Sequence, residues 1–579
     1  MPIKKTYFLL SAFMIILLNC SGPDYANLAR GNRVVLSIPD MPSSVNYYIE
    51  ATTLSSYIFN KTYEPLYRFD DNTYEPVPCI AESLTISEDH LSYTFKINPD
   101  AKWPDGTQIT ANDVFFTYNT IMNPDNMTGM FRVSFEESVE SVELIDTQTI
   151  RFNARRPEWM IMINLMDLRI LPEKYFKDRD FNKDFNFDLP GGSGPYMIDR
   201  VEQGRFISMK RNPQYWRAEI DKANGNNRFD SITYRVITND EIAYEALKKG
   251  DIDLLYINSS ERWNRITRTE TPDNMKAGRL AAMKIANLKP KHFQAFYFNL
   301  RKPKFQDIRV RRALRHLLDI ATLNEKIMFN EYYELKSFAP GFFQNHDSVY
   351  YPEFNPAEAR RLLTEAGWNR VDTDGILINA QGERFEIDFP LNSETGIRHL
   401  TVYREELLKA GIKLNLEVMS YSAYIKQCWE NHDFDMAWVN WGGGYIFPMI
   451  NEMWRSTQAD IAGSNNIGGY SNPAIDTLLT DYTNEFDVSK RLEILRQIDL
   501  ILLNDMAAML IWGDQNSRIV FWNKFDTPEF FLRKYVDYED GVTGSWAVNP
   551  EMERLVIDSL INNTQLEPLP FNIDNTGLH

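Results

Sequence analysis

The sequence predicts an α/β fold, in which strands and helices are mixed along the whole chain. Residues 91–97 alternate apolar and polar side chains, which predicts a half-buried strand. Residues 307–319 and 491–505 repeat apolar side chains at helical spacing, which predicts amphipathic helices. At 579 residues the chain is too long for one ordinary core, so two or three domains are expected.

A turn and a capped helix follow the first of these segments. Asp105 and Gly106 predict a tight turn, because glycine tolerates a positive φ. Thr110 and Asp113 then form a capping-box-like pair, with Asp113 in the position usually held by Glu or Gln. Every residue of this unit has a structural role, and none is an obvious nucleophile or base.

Later segments carry further helix and hairpin signals. Residues 355–368 begin with an Asn-Pro pair typical of a helix start and end with Gly367 as the stop. The sequence DTDG at 372–375 predicts a hairpin turn. A calcium loop starting at Asp372 is the alternative, but the residues at its interior ligand positions fit poorly.

The N-terminus, residues 1–20, predicts an export signal. Two lysines precede a short apolar run over residues 7–18, which is shorter than the roughly 20 residues that span a bilayer. Cys20 follows in a segment that resembles a bacterial lipoprotein signal, which implies that Cys20 is acylated and becomes the new N-terminus. We therefore expect a lipid tether at Cys20, a polar linker over residues 21–32 and a body in water.

The net charge argues against one class of partner, and the cysteines leave two structural alternatives. The formal net charge of −18 disfavours a nucleic-acid partner, which needs a basic surface. Beyond Cys20 the chain has Cys79 and Cys428. They pair in an oxidising compartment or remain two buried thiols, and the sequence leaves both alternatives open.

Several stretches resemble, in the same order, the family 5 extracellular solute-binding proteins, which are the peptide-, nickel- and oligosaccharide-binding subunits of ABC importers. The stretches are YTFKINPDAKWPDGTQITANDVFFTY at 93–118, GSGPYMI at 192–198, MKRNPQYW at 209–216, GDIDL at 250–254 and FNLRKPKFQDIRVRRALRHLLD at 298–319. The resemblance is strongest to the branch associated with oligopeptide, muropeptide or microcin uptake, on the basis of FDMAWVNW at 434–441 and NNIGGYSNPAIDTLL at 465–479.

This resemblance implies a two-lobed periplasmic-binding-protein fold, similar to type II, with an extra domain inserted in lobe one. Lobe one would take residues 33–63, 195–290 and 515–579, the extra α/β domain 64–194, and lobe two 291–514. Crossing strands would join the lobes. The turn and capped helix near residue 110 would then lie in the extra domain, away from the ligand cleft.

Signals for catalysis are weak throughout the sequence. The histidines are scattered without a zinc-type partner, and no HExxH is present. The GGSGP at 191–195 lacks the spacing of a nucleophile elbow, and the WGGGYIF at 441–447 lacks that of a dinucleotide loop. We expect no catalytic residue, no metal and no cofactor, and hence a protein that is not an enzyme.

The candidate ligand-binding stretch is residues 438–447. Its three successive glycines expose backbone groups and permit close approach of a ligand chain as an added strand, and its aromatic residues offer stacking surface. The predicted ligand-binding residues here are Trp438, Asn440, Trp441, Gly442, Gly443, Gly444 and Tyr445. A glycine-rich turn beside core tryptophans is the alternative reading.

Three further residues complete the predicted site. Asn465 and Asn466 either present amide groups to a ligand backbone or form a turn. Trp512 lies where lobe two returns toward lobe one, and belongs either to the cleft or to the core. In many peptide-binding relatives an aspartate three residues after the tryptophan pairs with the ligand α-amine. Here that position is Gly444, which implies a ligand that is blocked, cyclic, a muropeptide or not a peptide.

The predicted function is therefore that of a substrate-binding lipoprotein of an ABC importer. It would be a monomer in the periplasm or cell envelope, held to a membrane by lipid. It would close on an oligopeptide-like or muropeptide-like ligand and deliver it to the permease and ATPase complex. The alternatives are an envelope hydrolase acting on cell-wall fragments, or a surface scaffold that uses the same fold without transport.

Overall fold

The structure is a computed structural model that describes residues 27–576, except 292, 344–350, 443, 444, 446, 449 and 515. The predicted signal peptide with Cys20, and the predicted site residues Gly443 and Gly444, lie outside the described residues. Within the described part of the chain, no helix is both long and apolar enough to cross a membrane.

The first part of the chain builds one strand and one helix, followed by a four-stranded antiparallel sheet. Its elements are β1 (Arg33–Ile38), α1 (Thr53–Thr62), β2 (Tyr67–Phe69), β3 (Pro76–Pro78), β4 (Ala81–Ile86), β5 (Ser92–Ile97), α2 (Ala111–Met122), α3 (Gly129–Ser138), β6 (Val139–Leu144), β7 (Thr149–Ala154), α4 (Met160–Asp167) and α5 (Glu173–Phe176). The strand order of the sheet is β4-β5-β7-β6. These strands fall within the residues predicted for the extra domain.

The predicted strand, turn and capped helix are confirmed. In β5, Tyr93 and Phe95 are fully buried, whereas Lys96 between the buried positions is exposed. Gly106 adopts a φ of +84°, as the turn requires. The carboxylate of Asp113 accepts the backbone N–H of Thr110 at 2.9 Å, which satisfies one of the free donors at the start of α2.

The next part of the chain, up to residue 286, alternates strands and short helices. Its elements are β8 (Tyr196–Glu202), β9 (Phe206–Arg211), α6 (Ala218–Ala223), β10 (Ser231–Val236), α7 (Asp240–Lys248), β11 (Leu254–Tyr256), α8 (Ser260–Asn264), α9 (Asp273–Lys276) and β12 (Leu280–Ala286). Strand β1 pairs in parallel with both β10 and β11, so the N-terminal strand lies inside the sheet that these elements build.

The part of the chain predicted as lobe two follows, and its centre is the three-stranded antiparallel sheet β19-β13-β20. Its elements are β13 (Phe293–Phe298), α10 (Pro303–Gln306), α11 (Ile308–His316), α12 (Ile320–Lys326), β14 (Tyr333–Glu334), α13 (Pro356–Glu365), β15 (Arg370–Val371), β16 (Leu377–Ile378), β17 (Glu386–Leu391), α14 (Thr395–Lys409), β18 (Lys413–Val418), α15 (Tyr421–Ile425), β19 (Met436–Trp441), α16 (Asn451–Trp454), α17 (Pro473–Asn484), α18 (Val488–Asn504), β20 (Ala508–Leu510) and β21 (Trp512–Gly513).

The helices and the hairpin predicted in this lobe are confirmed. Helices α11, α13 and α18 occupy the predicted segments, and Asn355 caps α13 by accepting the N–H of Glu358 at 3.1 Å. Strands β15 and β16 pair as a hairpin around residues 372–375. The carboxylate of Asp372 accepts the N–H groups of Asp374 and Ile376, each at 2.9 Å, which is turn chemistry.

The last part of the chain completes the large sheet of lobe one. Its elements are β22 (Asn516–Trp522), β23 (Phe525–Asp526), α19 (Tyr538–Ser545), β24 (Ala547–Val548), α20 (Pro550–Asn562) and β25 (Asn572–Asp574). The large sheet has eight strands in the order β25-β12-β22-β11-β1-β10-β9-β8. All of them fall within the three segments predicted for lobe one.

Two crossing segments connect the large sheet to the sheet of lobe two. One leads from β12 to β13 and includes residues 287–291, and the other leads from β21 to β22 and includes Asp514. Both ends of each crossing are held in paired strands, since β12 pairs with β22, β13 pairs with β20 and β21 pairs with β14. This arrangement is the hinge of a two-lobed fold.

The two cysteines of the described chain, Cys79 and Cys428, are free and buried. Cys79 lies after β3 and Cys428 lies between α15 and β19, so they belong to different parts of the fold. Burial raises the pKa of each thiol to about 12. Of the two alternatives that the sequence left open, the structure has the pair of buried thiols.

Candidate functional site

Strand β19 carries the predicted site residues to one end of the lobe-two sheet. It pairs with β13 so that Trp438 lies opposite Phe296 and Trp441 lies opposite Phe293. Side chains alternate along a strand, so Trp438 and Trp441 point to opposite faces of the sheet. The ladder ends at Trp441, and the glycine run begins with the next residue, Gly442.

The face that carries Trp438 brings together two of the predicted aromatic residues. The indole N–H of Trp438 donates to Gln294 Oε1 at 2.9 Å, and Gln294 Nε2 donates to the carbonyl of Trp512 at 2.8 Å. The rings of Trp438 and Trp512 lie 5.3 Å apart, and the ring of His399 lies 6.0 Å and 5.8 Å from them. Asn440 follows on the same face and is exposed.

Trp512 belongs to the core of lobe two, so the prediction that its side chain lines the cleft is corrected. Its side chain is only 3% exposed and packs among buried residues that include Phe296. A side chain with so little free surface supports the position of Trp438 and has no face left for a ligand.

The opposite face carries Trp441, which is half-buried. Its indole N–H donates to the hydroxyl of Tyr297 at 2.9 Å, and Tyr297 is fully buried. This hydrogen bond fixes the ring at the end of the sheet. Gly442 is exposed, and apart from its chain neighbours no atom of a described residue lies within 4 Å of the place that a Cβ would occupy. The described fold therefore does not itself require glycine at position 442.

Tyr445 approaches residues from the other side of the cleft. Its ring lies 6.5 Å from that of Phe69, which belongs to β2 in the extra domain. Burial raises the pKa of Tyr445 well above its ordinary value, and the charge of Asp167 and the neighbouring Tyr47 add to the rise. Tyr445 is thus the predicted site residue that spans the space between lobe two and the extra domain.

Sequence reasoning missed the charged pair that faces Tyr445. Asp167 is the last residue of α4, and its carboxylate lies 3.7 Å from Arg169 Nη2. Burial raises the pKa of Asp167, and the Arg169 guanidinium opposes that rise. Arg169 Nε also donates to Asn60 Oδ1 at 2.8 Å, which ties this wall to α1 of lobe one. No local pattern marks these two residues.

The predicted ligand role of Asn466 is corrected, whereas that of Asn465 stays a prediction. Asn466 is 1% exposed, its Nδ2 donates to the carbonyls of Arg455 and Tyr470, and its Oδ1 accepts the N–H of Tyr470. All of this bonding capacity serves the turn, which was the alternative reading. Asn465 is half-buried, and its Nδ2 donates to Glu452 Oε2 at 2.9 Å.

Comparison with known proteins decides the family. Residues 75–460 match the family described as bacterial extracellular solute-binding proteins, family 5 (middle region). The chain belongs to this family. It is therefore a solute-binding protein of the kind that serves peptide and nickel ABC importers, and the family is extracellular or periplasmic.

Known relatives of this solute-binding protein share its length and fold. The uncharacterized protein YejA of Escherichia coli is 26% identical over 561 residues, covering 87% of this chain and 88% of that protein. The structure of the oligopeptide-binding protein AppA from Bacillus subtilis in complex with a nonapeptide superposes with a TM-score of 0.68 at 22% identity, covering 90% of this chain and 99% of AppA. NikA from Brucella suis in complex with Fe(III)-EDTA gives 0.72 at 20% identity, covering 88% and 99%. The predicted two-lobed fold is confirmed.

In this family 5 protein, the extra domain also contacts lobe two directly. Trp159, just before α4, donates its indole N–H to the carbonyl of Tyr482 at 2.9 Å, and its backbone N–H to the carbonyl of Thr483 at 3.3 Å. The guanidinium of Arg491 lies 4.3 Å from the centre of the Trp159 ring and 4.3 Å from that of Phe447. The lobes are therefore in contact across the cleft.

A second contact between the lobes lies beside the crossing segments. Glu331 of lobe two is 5% exposed, and its carboxylate lies 2.8 Å from Lys284 Nζ on β12 and 3.7 Å from Arg518 Nη1 on β22. Arg268 lies at 4.0 Å. One lobe supplies the anion and the other supplies the cations, so this ion cluster holds the two lobes together at the hinge.

Proposed function

We propose that this solute-binding protein captures an oligopeptide-like ligand in the cleft between its lobes and delivers it to the permease and ATPase of an ABC importer. The observation that carries the proposal is the end of β19. The ladder to β13 stops at Trp441, and Gly442 beyond it is exposed and unobstructed. In this proposal an extended ligand chain approaches the backbone there closely and pairs with it as an added strand.

The two walls of the cleft support a ligand with both apolar and polar parts. On the lobe-two side, Trp441 and Tyr445 offer half-buried aromatic rings. On the opposite side, Asp167 and Arg169 offer both signs of charge near Tyr445. A peptide-like chain has this mixture, because its side chains are variable and its backbone is polar. The contribution of Asn440, which is exposed beside Trp438, is part of the same proposal.

The ligand we propose does not depend on a free α-amine. Position 444 is glycine, where many peptide-binding relatives carry an aspartate for that amine. A blocked or cyclic peptide, or a muropeptide, satisfies this condition. The fold does not fix the ligand class, since AppA was solved with a nonapeptide and NikA with Fe(III)-EDTA. We also propose that a lipid tether at Cys20 keeps the protein near its permease. The protein acts as a monomer in this proposal.

A ligand screen by thermal shift tests the proposal. The panel contains linear, blocked and cyclic peptides, muropeptides, oligosaccharides and Ni²⁺. Binding stabilises the folded protein by RT ln(1 + [L]/Kd), or about 2.7 kcal/mol at a hundredfold excess over Kd. We expect blocked peptides or muropeptides to raise Tm, with no cleavage product when the incubated muropeptides are separated by chromatography. A shift with Ni²⁺ or sugars alone, or release of cleaved fragments, would refute it.

Trp441→Ala identifies the contact surface. Loss of the ring removes stacking area and is expected to weaken binding of the screened ligand by about ten- to a hundredfold, which corresponds to about 1.4–2.8 kcal/mol. The control is Trp429→Ala, another half-buried tryptophan of lobe two, whose ring packs on Tyr424. The control is expected to bind as the wild type does. Equal affinity in both variants would remove Trp441 from the site.

A further inference from the structure

Three carboxylates meet at the start of α19, in lobe one. They belong to Asp537, Glu539 and Asp540, and one oxygen of each lies within 4.8 Å of the others. The helix start explains part of this arrangement, because Asp537 is the N-cap and its Oδ1 accepts the N–H of Asp540 at 2.9 Å. Capping requires one carboxylate. It does not explain why two more converge on it.

The positive charge around this cluster does not balance it. The ammonium of Lys61, on α1, lies 3.0 Å from Asp540 Oδ1, and Lys61 is itself buried. Lys289 acts on Asp537 from further away, and its ammonium lies 3.4 Å from the hydroxyl of Ser517. Glu539 is buried and the other two carboxylates are partly buried, and so much negative charge with so little water needs more cationic charge or bound protons.

The bonding of Glu539 gives an independent sign of a missing partner. Glu539 is 3% exposed, and its Oε1 accepts the hydroxyl proton of Tyr234. Its Oε2 is fully buried and has no hydrogen-bond partner among the described residues. An unsatisfied buried carboxylate oxygen is costly and is rare in folded proteins. It is the kind of atom that a bound cation satisfies.

We propose that Asp537, Glu539 and Asp540 bind a divalent cation of the hard, oxygen-preferring class, with Ca²⁺ as the first candidate. Carboxylate oxygens are the ligands that Ca²⁺ prefers, and water completes its coordination where the cluster is only partly buried. The two charges of the cation, together with the Lys61 ammonium, balance the three carboxylates.

Two tyrosines hold the carboxylates in the geometry that the cation needs. Tyr57 donates its hydroxyl proton to Asp537 Oδ2 at 2.5 Å, and Tyr234 makes the equivalent bond to Glu539. Such outer hydrogen bonds orient metal ligands. Burial raises the pKa of both Glu539 and Asp537, so the competing occupant of the cluster is a proton.

The position of the cluster gives the cation a structural role. The segment before α19 is hydrogen-bonded to the first crossing segment. Asn287 Nδ2 donates to the carbonyl of Val536 at 2.8 Å, and the backbone N–H of Leu288 donates to the carbonyl of Lys534 at 2.6 Å. A cation at Asp537 therefore stabilises the lobe-one side of the hinge. The cluster shares no residue with the proposed ligand site, and the cation proposal does not depend on which ligand the cleft binds.

Terbium luminescence and calorimetry test the site on the full chain after treatment with a chelator. Excitation of the bonded tyrosines is expected to sensitise Tb³⁺, with saturation at one ion per chain and displacement by Ca²⁺. For Ca²⁺ we expect a Kd on the order of 10⁻⁵ to 10⁻³ M, as in extracellular and sensor-type sites, and a higher Tm when the ion is bound.

Glu539→Gln keeps the shape of the side chain and an acceptor for Tyr234, and is expected to weaken Ca²⁺ binding at least tenfold. Asp540→Asn, at a half-buried position, is the second variant if the first does not fold. Glu551→Gln is the control, because Glu551 is an exposed acidic residue in the first turn of α20. No saturable Tb³⁺ or Ca²⁺ signal in the wild type would mean that protons satisfy the cluster and would overturn the proposal, as would unchanged binding in both cluster variants.

Discussion

Two of the contacts between the lobes are built from different chemistry. Beside the hinge, the Glu331 carboxylate faces Lys284 and Arg518, and the Arg518 side chain is 0% exposed. Away from the hinge, Trp159 uses its ring, one indole hydrogen bond and one backbone hydrogen bond. Separating Glu331 from its cations leaves a buried carboxylate without a partner, at high cost. Water replaces neutral hydrogen bonds at much lower cost. We therefore expect the Glu331 contact to persist and the Trp159 contact to open and close.

The largest expected effect comes from Glu331→Gln. The variant leaves Lys284 without its anion and Arg518 with Asp514 alone, at 2.9 Å. Because the lost pairs are buried, the free energy of unfolding is expected to fall by about 3–5 kcal/mol. Urea unfolding followed by circular dichroism measures it. Glu325→Gln is the control, since Glu325 pairs with Lys326 on the surface, where such pairs contribute about 0–1 kcal/mol. A Glu331 variant as stable as the control would show that these ion pairs do not hold the hinge.

The next effect has the opposite sign and comes from Lys291, on the first crossing segment. Burial and the neighbouring Lys289 lower the pKa of Lys291 to about 8 from 10.5, and the carboxylate of Asp514 opposes this shift. Between these two values the unfolded chain binds the proton and the folded chain does not, so stability rises with pH over this window. Below pH 8 the full cost of the buried charge, about 3 kcal/mol, is present.

Lys291→Met is therefore expected to raise the free energy of unfolding by about 3 kcal/mol at pH 7, and the gain should disappear as the pH approaches 10.5. Denaturant unfolding at pH 7, 9 and 10 follows the difference. Lys426→Met, at an exposed position of lobe two, is expected to stay within about 0.5 kcal/mol of the wild type at each pH. A loss of stability at pH 7 in Lys291→Met would mean that the lysine makes a net favourable contact at the hinge.

The sequence predicts what local chemistry determines. The capping pair of Thr110 and Asp113, the turn at Gly106 and the hairpin at Asp372 depend on neighbours within a few residues, and all three are confirmed. The opposite orientation of Trp438 and Trp441 could also have been predicted from the sequence, because two side chains three positions apart on a strand point to opposite faces of the sheet. The prediction grouped both tryptophans by their nearness to the glycines and overlooked this alternation.

Contacts between distant segments were beyond sequence reasoning. Trp159 meets Tyr482 across 323 positions, and Lys61 meets Asp540 across 479. No local pattern connects such residues, since their approach depends on how the lobes and the extra domain pack. Family resemblance supplied the two-lobed fold but not these contacts. The same reason explains Trp512 and Asn466, whose burial follows from packing that their own neighbours in sequence do not reveal.

The smallest expected effect comes from Trp159→Phe, at the contact between the lobes that we expect to open and close. Trp159→Phe keeps a ring over Arg491 and removes the indole N–H that binds the carbonyl of Tyr482. The closed form is expected to lose about 1 kcal/mol, which corresponds to about fivefold weaker ligand binding. Small-angle scattering without ligand should show a larger radius of gyration, because more molecules are open.

The control for this last variant separates closure from packing. Trp368→Phe makes the same change at a comparably buried tryptophan, 6% exposed against 7%, in the core of lobe two. We expect it to lower the unfolding free energy without changing the scattering profile or the ligand affinity. If both variants increase the radius of gyration equally, the Trp159 contact acts as ordinary packing. The expectation that the Trp159 contact opens while the Glu331 contact persists would then be wrong.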